Sequence, residues 1–168
     1  MTTVVRILGI DPGSQVTGYG IVEHSGAVTR PVAWGGIKTN GSHPERLKQI
    51  YVALGRIVAE HAPDEIAIER VFLHRNADSA LKLGQARAAA LCATFSLDLP
   101  IHEYAARHIK KALVGNGGAQ KAQVQHMVKI VLGLREKIEA DAADALAAAV
   151  CHAHQRGVNA LVAGAKTA

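Results

Sequence analysis

Cysteine is scarce, with only Cys92 and Cys151 in 168 residues. They are far apart and form no CxxC pair, which argues against a disulfide scaffold or a thiolate zinc ribbon and suits a reducing compartment. Aromatic residues make up 4% of the chain, with a single tryptophan, Trp34, read here as packing. No apolar run approaches the roughly 20 residues of a membrane span, and the N-terminus lacks a basic segment followed by an apolar stretch and a small-residue cleavage site. A soluble cytoplasmic protein is the expectation. Acidic residues are also in deficit, 14 against 19 lysines and arginines, for a formal charge of +5. Internal repeats and low-complexity tracts are missing, so the chain reads as one globular α/β domain over residues 1–156, with a flexible C-terminal tail over 157–168.

What is present begins with Leu8-Gly-Ile-Asp-Pro-Gly-Ser-Gln-Val-Thr-Gly-Tyr-Gly. An apolar strand from Val4 to Ile10 delivers Asp11 into a Pro12-Gly13 turn, and the chain re-enters a strand near Gly18. Segments Val4 to Ile10, Gly18 to His24 and Val28 to Lys38, joined by tight connections, predict an antiparallel meander. Ser42 and Glu45 have capping-box spacing and open a helix whose Leu47, Ile50, Tyr51, Leu54, Ile57 and Val58 share a face. Pro63 ends it. A fourth strand, Glu65 to Glu69, follows a helical crossover and so pairs parallel with the first.

Asn76 or Asp78 can cap the next helix, where Leu81, Gly84, Ala88, Leu91 and Phe95 share one face. Glycine in mid-helix costs about 1 kcal/mol relative to alanine, so Gly84 points to close approach, either by a partner subunit or by the chain's own sheet. A fifth strand spans Pro100 to Tyr104. Helices follow over Ala105 to Val114, Lys121 to Leu132 and about Ala140 to His154. This order is that of a ribonuclease-H-like fold, a five-stranded mixed sheet flanked by helices.

Four acids stand out. Asp11 and Glu69 end strands expected to be neighbours, and Asp141 and Asp144 are three apart at a helix start, on one face, where the helix N-terminus favours anions. Taken singly, each has a plain reading: a turn aspartate, a solvated strand end, and ordinary first-turn acids. Together they would repel one another unless divalent metal lay between them, which points to a Mg2+ site. With those four set aside, 19 basic groups face the ten remaining of 14 acidic ones, a surplus suited to a polyanion such as nucleic acid.

Cationic stripes lie nearby in sequence. Arg107, Lys110 and Lys111 share a face of one short helix, and Lys121, Gln125 and Lys129 form a polar stripe opposite Val124 and Val128. Phe72, one of two phenylalanines, sits between basic residues in Arg70-Val-Phe-Leu-His-Arg75. Cys151, His152 and His154 point in different directions on a helix and read as surface and core residues rather than metal ligands.

The segments GIDPGSQVTGYGIV, IAIERVFLHRNADSALKLGQARAAAL, Lys110 to Lys121 with KAQVQHMV, and EADAADALAAAVCHAH resemble, in order, the RuvC family of Holliday-junction resolvases. The resemblance implies an acidic tetrad of Asp11, Glu69, Asp141 and Asp144 holding two Mg2+ ions, with Mn2+ as a substitute. It implies a homodimer that binds a four-way DNA junction, nicks two strands of like polarity, and works with the RuvA and RuvB branch-migration proteins. It further implies phosphate contacts through Lys110 and Lys121, and stacking of Phe72 on an unpaired base. Arg75, Arg107 and Lys111 complete the expected DNA surface. Two positions depart from the family pattern: Arg70 stands where glutamine is expected, and Ala122 where serine is common.

Three other readings stay open at this point. The opening motif also resembles the phosphate loop of actin-like kinases, although 168 residues leave no room for their second lobe. The acids could be structural in a junction-binding module without catalysis. A relative acting on RNA, of the YqgF type, shares the fold.

Overall fold

The computed structural model describes residues 3–71 and 76–166, of which 159–166 by backbone alone. Strands β1 (Val5–Asp11), β2 (Val16–Ser25) and β3 (Val28–Lys38) form the expected meander, and α1 (His43–His61) crosses to β4 (Glu65–Glu69). Helix α2 (Ala77–Cys92) leads to β5 (Ile101–Tyr104), and α3 (Ala106–Val114), α4 (Lys121–Leu132) and α5 (Ala140–Lys166) complete the chain. The sheet order is β3-β2-β1-β4-β5. β1 pairs antiparallel with β2 and parallel with β4, and β4 pairs parallel with β5.

β1 is central, so both of its faces are covered. Leu8 and Ile10 pack with Ile66 and Ile68 against Ile50, Leu54 and Val58 of α1 and Ala86 and Ala90 of α2. Ile7, on the alternate parity, joins the core formed by α3, α4 and α5. Burying each such aliphatic side chain contributes roughly 1.5–3 kcal/mol relative to leaving it exposed. α1 begins where the capping spacing places it: Glu45 Oε2 accepts from the Ser42 backbone N at 2.7 Å and from Ser42 Oγ at 2.6 Å. Asn76, rather than Asp78, caps α2 by accepting from Ser79 N at 3.2 Å. Asp78 instead pairs with Lys82 at 2.7 Å.

Three expectations change. Tyr51 of α1 is exposed, and the helix seals the core with Ile50, Leu54 and Val58 alone among its fully buried residues. A Cβ on Gly84 would meet nothing within 4 Å, so close packing on the chain's own sheet is not its reason. The face of α2 that the periodicity picks out is largely open, with Leu81 67% exposed and Phe95, just beyond the helix, 59%. Finally, α5 does not stop near His154 before a tail from 157 but continues as helix to Lys166. The segment is rich in alanine and free of proline, so the two glycines, Gly157 and Gly164, cost about 1 kcal/mol each without ending it.

α5 is the element that decides where the functional side chains meet. It lies directly over β1 and β2 because glycine replaces any side chain at the crossing. A Cβ on Gly9 would stand 2.0 Å from the Ala145 carbonyl oxygen, and one on Gly18 would stand 2.0 Å from that of Asp141. Gly20, paired with Gly9 across the strands, is closed in the same way by Leu146. The helix answers with its own small residues: Ala142, Ala145 and Ala149 are buried.

Candidate active site

Asp11 is the last residue of β1, opposite Gly18 of β2. Ile10 is in register with Ile68 across the parallel β1–β4 pair, so Asp11 and Glu69 end adjacent strands side by side. Above Gly18, the first turn of α5 brings in Asp141, and Asp144 lies one turn further along. All four are half-buried. The structure therefore gathers the tetrad from three elements, as the strand order and helical spacing predict.

The turn after Asp11 is pinned by Thr17, a residue that sequence reasoning passed over. Its side chain is fully buried, and Oγ1 donates to the Gly13 carbonyl at 2.8 Å and accepts from Gly13 N at 3.3 Å. The signal was available, since a threonine four residues after an Asp-Pro-Gly-type turn can back-bond to it. On the far side, Lys38 of β3 pairs at 2.9 Å with Glu139, immediately before α5, tying the helix start to the sheet.

Electrostatics marks this as a strained set of charges. Burial, followed by repulsion from Asp144 and Glu69, pushes Asp11 up to about 7. Burial and the Asp144 charge also raise Glu69, and burial raises Asp144 in spite of Lys121. Lys121 reaches in from the start of α4 and places Nζ 2.5 Å from Asp144 Oδ2. That hydrogen bond outweighs burial and raises the lysine's own pKa. Lys110 of α3 joins Lys121, Glu69 and Asp144 in lining a cleft of about 240 Å³.

Oxygen donors of this kind suit a hard divalent cation such as Mg2+. The fit is supported by Asp11: two lysines do not compensate four carboxylates, and a divalent ion would restore its ionised form. The tetrad is nonetheless spread, since no three of its four carboxylates bring an oxygen each to within 4.8 Å of one another.

Of the expected DNA contacts, Lys110 and Lys121 face the acids, whereas Arg107 and Lys111 lie exposed on α3 outside the cleft lining. Phe72 and Arg75 lie outside the described residues. Arg70 approaches Glu103 at 3.6 Å, next to the cleft that Asp11 and Glu69 line.

The family model for crossover junction endodeoxyribonuclease RuvC matches residues 7–152, which include all four acids. The chain belongs to the RuvC family. Among its relatives, the RuvC of Methylococcus capsulatus is 56% identical over 154 residues, covering 91% of this chain and 93% of that protein. The RuvC of Vibrio vulnificus is 54% identical over 162 residues, covering 96% and 94%. In structure, Thermus thermophilus RuvC in complex with Holliday junction substrate superposes with a TM-score of 0.86 at 33% identity, covering 92% of this chain and 96% of that one. The RuvC fold is thus the mixed sheet described above. Among the described residues no helix is long and apolar enough to cross a membrane.

Proposed function

We propose that this chain is a Mg2+-dependent endonuclease that resolves four-way (Holliday) DNA junctions by paired, symmetric nicks in homologous recombination and repair. The observation that carries the reading is the meeting of Asp11, Glu69, Asp141 and Asp144 at one end of the sheet beside Lys110 and Lys121. These acids are the residues that would hold two Mg2+ ions. Bound there, divalent metal would supply a lowered pKa for an attacking water and charge neutralisation at the leaving 3′-oxygen.

The protein's own part is positioning. β1 and β4 fix Asp11 and Glu69 on a rigid edge, and the glycine-cushioned α5 sets Asp141 and Asp144 opposite them. Lys121 and Lys110 offer cations to the scissile phosphate and to the charge that grows on it. Lys121 must leave Asp144 to do so, which couples phosphate arrival to freeing the carboxylate. Arg75, Arg107 and Lys111 extend the phosphate-binding surface, and Phe72 stacks on an unpaired base.

Paired incision calls for two active sites related by a two-fold axis, hence a homodimer. The open Leu81, Gly84 and Phe95 face supports that assembly. The enzyme acts in the cytoplasm, on junctions delivered by RuvA and RuvB.

The test is competition among four-way DNA, linear duplex and structured RNA at near-physiological salt, where backbone charge contacts do not mask selectivity. Preferred cutting of the four-way DNA is expected. Equal or better cutting of RNA would favour the YqgF-type reading, and binding without cleavage in Mg2+ would favour a non-catalytic module.

A further inference from the structure

At the opposite end of β4 from Glu69 lies a second group of metal-ligating side chains. Glu65 of β4, His102 of β5 and His152 of α5 each offer one ligand atom, and these atoms lie within 4.8 Å of one another. They are the one such trio among the described residues. Glu65 precedes Glu69 by four strand residues, roughly 13 Å, and His152 follows Asp144 by eight helical residues, roughly 12 Å. The trio is therefore separate from the tetrad while borne by two of the same elements.

The ligand atoms lie close together around one carboxylate oxygen. His152 is 3% exposed, and its Nε2 stands 2.5 Å from Glu65 Oε2, while His102 Nε2 stands 4.0 Å from the same oxygen. The two imidazoles stack with centroids 4.1 Å apart. Tyr104 Oη lies 2.6 Å from His152 Nδ1 and orients the ring from behind, and Arg156 pairs with the other oxygen of Glu65. The His102 side chain is 41% exposed, so the group is open to solvent on one side. Burial above all keeps His152 neutral, against the opposing pull of Glu65. Hydrogen bonding from His152 and the charge of Arg156 outweigh burial and keep Glu65 ionised.

We propose that Glu65, His102 and His152 form a binding site for a borderline transition-metal ion of the Zn2+ class, distinct from the oxygen-only tetrad. Two imidazoles and one carboxylate, with a solvent position left over, are the ligand set Zn2+ takes and Mg2+ does not. Uptake needs no net proton loss from neutral His152. Its proton moves from Nε2 to Nδ1, where Tyr104 Oη turns from donor to acceptor, freeing the Nε2 lone pair for the ion. Carboxylate Oε2 then bonds the ion in place of the imidazole N–H. Arg156 stays on Oε1 and holds Glu65 to one coordinating oxygen. The bound ion would clasp β4, β5 and α5 at the end remote from the cleft.

Co2+ alone is the probe, added to the full chain carrying Asp11→Asn and Asp144→Asn, so that the tetrad does not report. Expected are saturable uptake of one equivalent with visible d–d absorption, displacement by Zn2+ and a raised melting temperature. His102→Gln, a half-exposed position that leaves the core intact, should weaken binding by about 100-fold or more, and Tyr104→Phe by about 10-fold. Uptake unchanged by His102→Gln, no saturable uptake, or uptake present only with the tetrad acids intact would each overturn the site. None of these results bears on nuclease activity, so the two readings stand or fall separately.

Discussion

Asp11 carries the largest electrostatic cost at the tetrad, because it is buried and close to three other carboxylates, with only Lys121 to offset them. Its folded pKa of about 7 lies above the ordinary aspartate value of 3.8. The folded chain therefore binds the proton more tightly than the unfolded chain, and this group's contribution favours folding at acid pH. That contribution is lost as pH rises from about 4 through 7, so in EDTA the residue works against the fold at pH 8. Asp11→Asn removes the penalty. Its melting temperature in EDTA at pH 8 should exceed that of the wild type by several degrees, a gain on the order of 1–3 kcal/mol, and the gain should shrink toward pH 4. Mg2+ should narrow the difference from the other side by stabilising only the wild type. The same substitution should reduce junction cleavage by more than about 100-fold with junction binding retained, read by gel shift beside product formation. Equal melting at pH 8 would remove the electrostatic account of this residue.

The approach of α5 to β1 and β2 is what converts four separate acids into one site, and it depends on glycines rather than on the acids. Gly18→Ala would drive a methyl into the Asp141 carbonyl, 2.0 Å from the added Cβ, so the helix start must move. A loss of 1–3 kcal/mol is expected in thermal or urea unfolding. Cleavage should fall further, by about 100-fold, because misplacing a catalytic group by an ångström has that scale of effect. Gly84→Ala is the contrasting case, since its Cβ meets nothing and helix propensity alone applies. These two glycines also show how far the sequence could be read. Periodicity and the crossover rule yield the three-strand meander, the parallel pairing of β4 with β1, the α1 face and the adjacency of Asp11 with Glu69, because those follow from local pattern and chirality. The glycine-to-helix contact is long-range, and nothing within either segment declares it. The same holds for Glu65, His102 and His152, which share no spacing: on its helix His152 looks isolated, and its partners arrive only when β4, β5 and α5 assemble. The end of α5 departs from expectation for a different reason, since glycine weakens a helix but does not forbid it.

At the scale of the whole molecule, a single chain offers one acidic tetrad, yet resolving a junction into ligatable products takes two cuts placed symmetrically. The +5 charge supplies attraction to the backbone but no symmetry. Under the proposed function symmetry comes from self-association, and the exposed apolar face of α2 is the surface suited to it: Leu81 is 67% exposed, a Cβ on Gly84 would meet nothing, and Phe95 and Leu97, beyond the helix end, are exposed as well. A self-complementary interface around a two-fold axis places identical residues near one another, so one like charge per protomer is enough to oppose it. Leu81→Arg leaves the core untouched, because the side chain already faces water, and its effect on monomer stability should stay within about 0.5 kcal/mol. On the proposed dimer, sedimentation should then find monomer for the variant and dimer for the wild type. On a supercoiled plasmid with an extruded cruciform, the wild type should give linear product, since both strands are cut within one complex. The variant should accumulate nicked circles, because each monomer cuts alone and relaxation after the first nick reabsorbs the cruciform before a second cut. Wild-type sedimentation as monomer with linear product undiminished would show that this face has no part in pairing the cuts.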